Sequence, residues 1–262
     1  MNKLSICIPT YNKEGTKHNE SYNNITMLLD LFESIAIQTF KDYETIISDH
    51  SIDDSVKAIC DEWKEIINIK YYKFEEKYGS CEANLNNAMR KATGKYIKPM
   101  LQDDFFYNST ALEKMVAAME NGTDGWVVAG SVCINENAKK NFYGYLVPKI
   151  VSKEEMLEGN NYMGGPSVIM HKNEDTFYDE CLIWLMDVEF YCRLLDKYGN
   201  PYFIEDTFTV SRIRADGISN TMISSGIIED EKKYCSDKLH SSLKNIEQYP
   251  AIYERVKNNK II

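Results

Sequence analysis

Short apolar runs alternate with segments of helical spacing throughout residues 1–134, and few architectures accept that order. Leu4–Ile8 is an apolar strand halted by Pro9, which has no N–H to offer a ladder. Ile25, Leu28, Leu29, Phe32, Ile35 and Ala36 then recur at helical spacing. Tyr43–Ile47 reads as a second strand, and Asp53 as the cap of a helix through Val56, Ile59, Cys60 and Trp63. A strand over Ile66–Tyr72 and a helix over Glu82–Ala92 follow, the helix closed by Gly94. Lys95–Leu101 is again a strand, Asn108 caps a helix over Thr110–Glu120 that ends at Gly122, and Trp126–Ile134 is the next strand. Repeated strand–helix units predict an α/β fold, a Rossmann-like, mainly parallel central sheet flanked by helices.

In such open sheets ligands bind beyond the carboxyl ends of the strands. Three polar clusters fall at those ends: Thr10–Tyr11–Asn12, Asp49, and Gln102–Asp103–Asp104. Adjacent carboxylates repel, so keeping Asp103 and Asp104 both ionised calls for a counter-charge such as a hard divalent cation; a turn before Asn108 is the other use for one of them. Asp49 could accept hydrogen bonds from a base or ribose, or make an Asx turn into the next helix.

Beyond residue 134 the character changes. Aromatic and glycine-rich loops surround a short helix with a capping box at Ser152 and Glu155, and Pro166–His171 reads as a strand. Asp187–Tyr198 is a helix ended by Gly199, Tyr202–Ile213 is a further strand, and residues 223–262 form a charged helical tail. Asp187 opens its helix behind the apolar run Cys181–Met186. It either satisfies free helix N–H groups or, partly desolvated by Trp184 and Leu185, serves as a general base. Arg193 reads as a local charge partner in that helix. The tail lysines, interleaved with acids, read as a solvated face, and the tail could pair two chains.

Composition excludes several classes. A net charge of -10 argues against nucleic acid as a partner. The 7 cysteines lack any CxxC spacing, which leaves zinc and a disulfide framework unsupported. No stretch reaches the ~20 apolar residues of a membrane span, so membrane contact is peripheral at most.

Several ordered motifs resemble one family. Ser5–Asn12, Ser34–Phe40, Tyr43–Asp49, Ala83–Asn84, Ala92–Ile97, Asp103–Asp104, Met186–Asp187 with Arg193, and Ser211–Arg212 with Ser219 resemble family 2 glycosyltransferases of the GT-A fold, over about residues 3–220. The resemblance implies inverting transfer from a nucleotide-sugar, usually UDP-linked, with Mn²⁺ or Mg²⁺, to a glycan or lipid-linked glycan acceptor, with bacterial surface polysaccharide synthesis as the family default. Carried over by position, Pro9, Thr10, Tyr11, Asn12 and Asp49 hold the nucleoside. Asn84 and Gln102 line the donor site, Asp103 or Asp104 meets the metal and ribose, and Asp187 is the catalytic base. Departures stand at Leu101 and Met186, where relatives carry acids, and at Arg214, where many carry a histidine; an arginine there could contact the diphosphate. The loop Lys13–Glu20 is longer than usual and could fold over the donor.

The expected organisation is a nucleotide-sugar-binding half over residues 1–134, an acceptor-binding half over 135–220 on the same sheet, and a helical tail over 221–262, in a cytoplasmic protein able to reach the inner face of the membrane. A sugar nucleotidyltransferase and a non-catalytic glycan-binding protein are the alternatives.

Overall fold

The structure is a computed structural model that describes residues 2–12, 23–77, 79–122, 125–135, 138, 141–214, 217 and 226–258. The loop Lys13–Glu20 and Ser219 lie outside the described residues. The elements run β1 (Leu4–Thr10), α1 (Asn24–Ala36), β2 (Tyr43–Asp49), α2 (Ser55–Trp63), β3 (Ile69–Lys73), α3 (Cys81–Arg90), β4 (Tyr96–Pro99), β5 (Phe105–Phe106), α4 (Ala111–Asn121) and β6 (Trp126–Asn135). Then come β7 (Tyr143–Leu146), α5 (Lys153–Leu157), β8 (Ile169–Lys172), α6 (Met186–Tyr198), β9 (Tyr202–Ile213), α7 (Ile227–Leu239) and α8 (Pro250–Asn258).

One sheet carries the molecule, in the order β3-β2-β1-β4-β8-β6-β9-β5, with β7 beside β6. It is parallel from β3 through β4 and mixed beyond: β8 runs antiparallel to both β4 and β6, while β6 and β9 are parallel. The alternating side chains of β1 divide two cores. Leu4, Ile6 and Ile8 pack with Leu28, Leu31, Phe32 and Ile35 of α1 and with Leu112, Met115 and Val116 of α4. Cys7 and Ile46 face the other way, with Leu85, Ala88 and Met89 of α3 and Phe190, Tyr191 and Leu194 of α6. Each such fully buried Leu, Ile or Phe contributes about 1.5–3 kcal/mol, so both sheet faces anchor the strand tips.

Pro9 does not halt β1, which runs on to Thr10↔Asp49. The odd-numbered residues of β1 turn their backbone toward β4, as Cys7 O accepts from Met100 N at 2.9 Å. Pairing with β4 ends at Cys7↔Pro99, so the N–H that Pro9 lacks has no ladder to serve.

Gly94 is not a helix cap. The α3 cap is Lys91, and a Cβ on Gly94 would stand 2.6 Å from Leu4 C on β1. Its amide donates to Ser5 Oγ at 2.9 Å, so glycine is required here for close approach of two backbones. Asp53 acts one residue ahead of its expected place: the cap position is Asp54, while Asp53 Oδ1 accepts from Ser55 N at 3.2 Å. Asn108 stands two residues ahead of the α4 cap position, Thr110, and its Oδ1 accepts from Thr110 N at 3.1 Å. The first part of Pro166–His171 is a 3₁₀ turn, Pro166–Val168, before β8 begins. The capping box at Ser152 and Glu155 is present.

The tail is not a solvated appendage. Glu231, Tyr234 and Cys235 of α7 are buried, and Arg255 of α8 is buried in an ion pair with Glu82 of α3 at 2.7 Å. Lys238 bridges Asp179 and Glu189, each at 2.6 Å. One face of the tail is thus joined to the body of the chain, while Lys233, Lys244 and Lys257 stand exposed as a solvated face would.

Candidate active site

Parallel β1, β2 and β4 end side by side, and their carboxyl tips bring most of the expected donor residues into one hydrogen-bonded network. Asn84 Nδ2 donates to Thr10 O at 3.0 Å, and Thr10 Oγ1 to Asp49 Oδ1 at 3.2 Å. Asp49 is fully buried and accepts from Ser51 N (2.9 Å), Ser51 Oγ (2.6 Å) and Tyr71 OH (2.7 Å), with Lys73 Nζ at 3.5 Å. Asn12 joins the same group, its amide donating to Ser51 Oγ at 2.8 Å and its side chain to Ser55 Oγ at 2.9 Å. The Asp49 carboxylate is therefore already surrounded by protein donors beside the Thr10–Asn12 exit of β1.

Gln102 holds that exit in register. Its Oε1 accepts from Tyr11 N at 2.7 Å and its Nε2 donates to Tyr11 O at 3.0 Å, so one side chain stands in for a strand partner. Tyr11 O also accepts from Asn24 Nδ2 at 2.8 Å, and Asn24 Oδ1 accepts from Arg214 Nη1 at 2.8 Å. Arg214 Nη1 lies 4.0 Å from Asp103 Oδ2, which closes the circuit from β1 to the acidic pair.

The two acids differ. The Asp103 side chain is 27% exposed. Asp104 is buried, and its Oδ1 accepts from Arg212 N at 3.3 Å. Burial and the adjacent Asp103 push its carboxyl up to about 7. Two buried cationic side chains lie near the pair. Arg212, with a side chain only 1% exposed, donates to Asp103 O at 3.3 Å, to Ala138 O at 3.1 Å and to Asp30 at 2.9 Å. Lys98 is wholly buried under the pair; it donates to Pro99 O at 3.0 Å and to Ser167 O, and burial lowers its ammonium to about 7.

Asp187 stands in the first turn of α6, partly accessible. Its Oδ1 accepts from Val188 N at 2.7 Å and its Oδ2 from Asn161 Nδ2 at 3.0 Å; burial outweighs these donors and raises the carboxyl to about 6. Asn161 also donates to Gly164 O at 2.9 Å, and Tyr191 OH donates to Gly165 O at 2.9 Å. Two residues further along the same segment, Ser167 Oγ accepts from Leu101 N at 2.9 Å, immediately before Gln102 and the acidic pair. A chain of direct contacts thus runs from Asp187 through residues 161–167 to the tip of β4. Burial above all, then the charges of Glu82 and Asp103, push the thiol of Cys81, at the start of α3, up to about 12.

Arg193 is a charge partner within its own helix, as expected. It pairs with Glu189 one turn away, at 2.8 and 2.9 Å, and with Phe177 O. Three tyrosines of residues 135–220 stand open, with Tyr143 42%, Tyr145 60% and Tyr162 39% exposed. Arg212 carried a signal only through the resemblance; Lys98, Asn161 and Glu231 carried none, because each acts through a partner far away in sequence.

The model of "Glycosyl transferase family 2" matches residues 5–191, which hold the β1, β2 and β4 tips and Asp187. The chain belongs to that family. As a family 2 glycosyltransferase it is 26% identical over 234 residues to the GalNAc(5)-diNAcBac-PP-undecaprenol beta-1,3-glucosyltransferase of Campylobacter jejuni, covering 84% of this chain and 68% of that one. It is 24% identical over 126 residues to the poly(ribitol-phosphate) beta-N-acetylglucosaminyltransferase TarS of Staphylococcus aureus, spanning 47% of this chain and 20% of TarS. Among solved structures, residues 1–349 of S. aureus TarS in complex with UDP-GlcNAc superpose with a TM-score of 0.67 at 16% identity, over 98% of this chain and 72% of that one. The mannosyltransferase PcManGT from Pyrobaculum calidifontis, in complex with GDP-Man and Mn²⁺, gives 0.64 at 15% identity, over 98% and 74%. These likenesses establish the GT-A fold of this glycosyltransferase, and the family assignment displaces the nucleotidyltransferase alternative.

Proposed function

We propose that this glycosyltransferase moves one sugar from a nucleotide-sugar, of UDP type, to a hydroxyl of a glycan or lipid-linked glycan, with inversion, in the synthesis of bacterial surface polysaccharide. The observation that carries the reading is Asp187: a partly accessible carboxyl raised to about 6, tied by residues 161–167 to Leu101, two residues before Asp103. A base of that pKa is ionised at neutral pH and still basic enough to take a proton. The acceptor oxygen gives its proton to Asp187 as it bonds to the anomeric carbon, and the bond from that carbon to the diphosphate oxygen breaks on the opposite face. The bonding pair leaves with the nucleoside diphosphate.

Thr10, Tyr11 and Asn12 supply the rim for the nucleoside, with Pro9, Asp49, Asn84 and Gln102 fixing its shape from behind. Arg214 offers a planar donor fork to the diphosphate next to Asp103. Among the described residues no group of three or more His, Cys, Asp or Glu could hold a metal by protein alone. Mg²⁺ commonly takes one or two carboxylates with substrate phosphates completing its shell, and one accessible acid beside one withdrawn acid fits that pattern for Mg²⁺ or Mn²⁺. Asp103 is the ligand in this reading, and Asp104 the buried support. The ion, when bound, offsets negative charge on the departing diphosphate.

Support for the acceptor class comes from the lipid-linked and polymeric glycans in the names of the C. jejuni and S. aureus relatives. No helix among the described residues is long and apolar enough to cross a membrane. A cytoplasmic protein in peripheral contact with the inner face of the membrane would meet such an acceptor.

Calorimetric titration of UDP- and GDP-sugars with and without Mn²⁺, followed by NMR of the product's anomeric configuration, tests the reading. Metal-enhanced binding of a UDP-sugar and an inverted product are expected. Absence of nucleotide-sugar binding under all conditions, or a retained configuration, would overturn it.

A further inference from the structure

The turn that leads into α6 has an unusual arrangement of donors. Residues Ile183, Trp184 and Leu185 all point their backbone N–H groups at one carboxylate, that of Glu231 on α7, at 2.8, 2.9 and 2.8 Å. Successive N–H groups converging in this way form an anion-binding concavity. Leu185 occupies the cap position of α6 with no side-chain cap of its own. Two residues later comes Asp187. Glu231 is wholly buried, 46 residues from Leu185 in sequence, and reaches the turn only because α7 packs back across the body of the chain.

The neighbouring contacts repeat the theme. Tyr234 OH and Lys238 Nζ, also on α7, donate to Asp179 at 3.0 and 2.6 Å. Arg255 of α8 donates to Glu180 O at 3.2 Å while paired with Glu82. The whole approach to α6, residues 179–185, is thus gripped by side chains of the C-terminal helices, and Glu231 makes the contact next to the proposed base.

We infer that Glu231 is a positioning residue for transfer: by holding three consecutive amides it fixes the height and direction of the first turn of α6 and so aims the Asp187 carboxylate at the acceptor hydroxyl. This rests on the reading of Asp187 as base. The alternative, a purely structural carboxylate, would support folding without affecting the turnover of folded molecules. The hydrogen-bond pattern distinguishes degrees of loss. Glu231 Oε1 serves Ile183, and Oε2 serves Trp184 and Leu185. Glu231→Gln keeps one accepting oxygen and loses the other, while Glu231→Ala loses all three bonds.

Turnover of the full chain, read as UDP release from a panel of UDP-hexoses, should fall in the order wild type, Glu231→Gln, Glu231→Ala, at least tenfold for alanine. The Kd for UDP should stay within twofold. Turnover of both variants within twofold of wild type, at a temperature where they are folded, would overturn the inference. Asp187→Asn is measured alongside: if it turns over like wild type, the base reading fails, whereas a dead Asp187→Asn beside a fully active Glu231→Ala sinks the positioning role alone. Hydrogen exchange on the wild-type chain covers the case in which the variants do not fold. The amides of Ile183, Trp184 and Leu185 should exchange at least a hundredfold more slowly than exposed amides, and exchange at the free rate would refute the grip.

Discussion

Replacing Asp187 by asparagine separates catalysis from stability, because the two respond in opposite directions. The carboxyl is raised to about 6 by burial. It is therefore roughly nine-tenths ionised at pH 7 and just under one-tenth ionised at pH 5, so kcat of the wild type should drop about tenfold between those values from this group alone. Asparagine has the same shape and cannot accept the proton; loss of a general base costs typically 10²–10⁴ in rate, about 3–5 kcal/mol in barrier. Folding behaves differently. A carboxyl whose folded pKa lies above its unfolded value destabilises the protein increasingly as pH rises between the two, and the full penalty persists above the folded pKa. Here that penalty is on the order of 2–3 kcal/mol near neutrality. Asparagine escapes it and gives up one bond, that from Asn161 at 3.0 Å, worth about 1 kcal/mol. The variant should melt at or above the wild-type temperature at pH 7.5, with the difference closing toward pH 4. The assay is UDP release against pH with the donor saturating, beside thermal melts at each pH. An acid limb that survives in Asp187→Asn, or a kcat within tenfold of wild type, would refute the assignment.

The acidic pair should split. Asp103→Asn is expected to lower Mn²⁺-dependent UDP affinity at least tenfold, while Asp104→Asn, which keeps an acceptor for Arg212 N, changes it by less than threefold; calorimetry on both decides. Gln102→Ala removes both bonds to the Tyr11 backbone (2.7 and 3.0 Å) and should raise the donor Kd several-fold while lowering stability by about 1–2 kcal/mol, read by titration and denaturant melts. Gly94→Ala drives a methyl to 2.6 Å from Leu4 C and should cost about 1–3 kcal/mol, seen as a melting point lower by several degrees with kcat of the folded enzyme unchanged.

The legible part of the fold was whatever repeats locally. Tyr43–Ile47 announces β2 through its own apolar run, and the Ser152–Glu155 box announces α5 through the chemistry of four residues. The misread positions are those where a neighbour in space overrules the local rule. Pro9 breaks strands in general, yet here its missing N–H falls just past the end of β4. Gly94 has the look of a helix terminator, yet it is glycine because β1 passes within contact distance. In both cases the deciding atom belongs to a strand tens of residues away, and no window along the chain contains it.

The same distinction runs through the site. Thr10 and Asp49 are legible because each ends a strand, and Asp103 because it follows one within four residues; the sheet needs only its strand order to bring β1, β2 and β4 together. What gives the tips their chemistry is not local. Asp103 and Asp104 have adjacent positions and identical side chains, yet Asp104 lies inside, where Arg212 N, 108 residues further on, donates to it, while Asp103 stays partly exposed. Asp187 follows the same logic at its far side, where Glu231 holds the turn before it. A sequence pattern can place an acid at the tip of a strand or the head of a helix. Whether that acid becomes a ligand, a support or a base depends on which distant donor reaches it first.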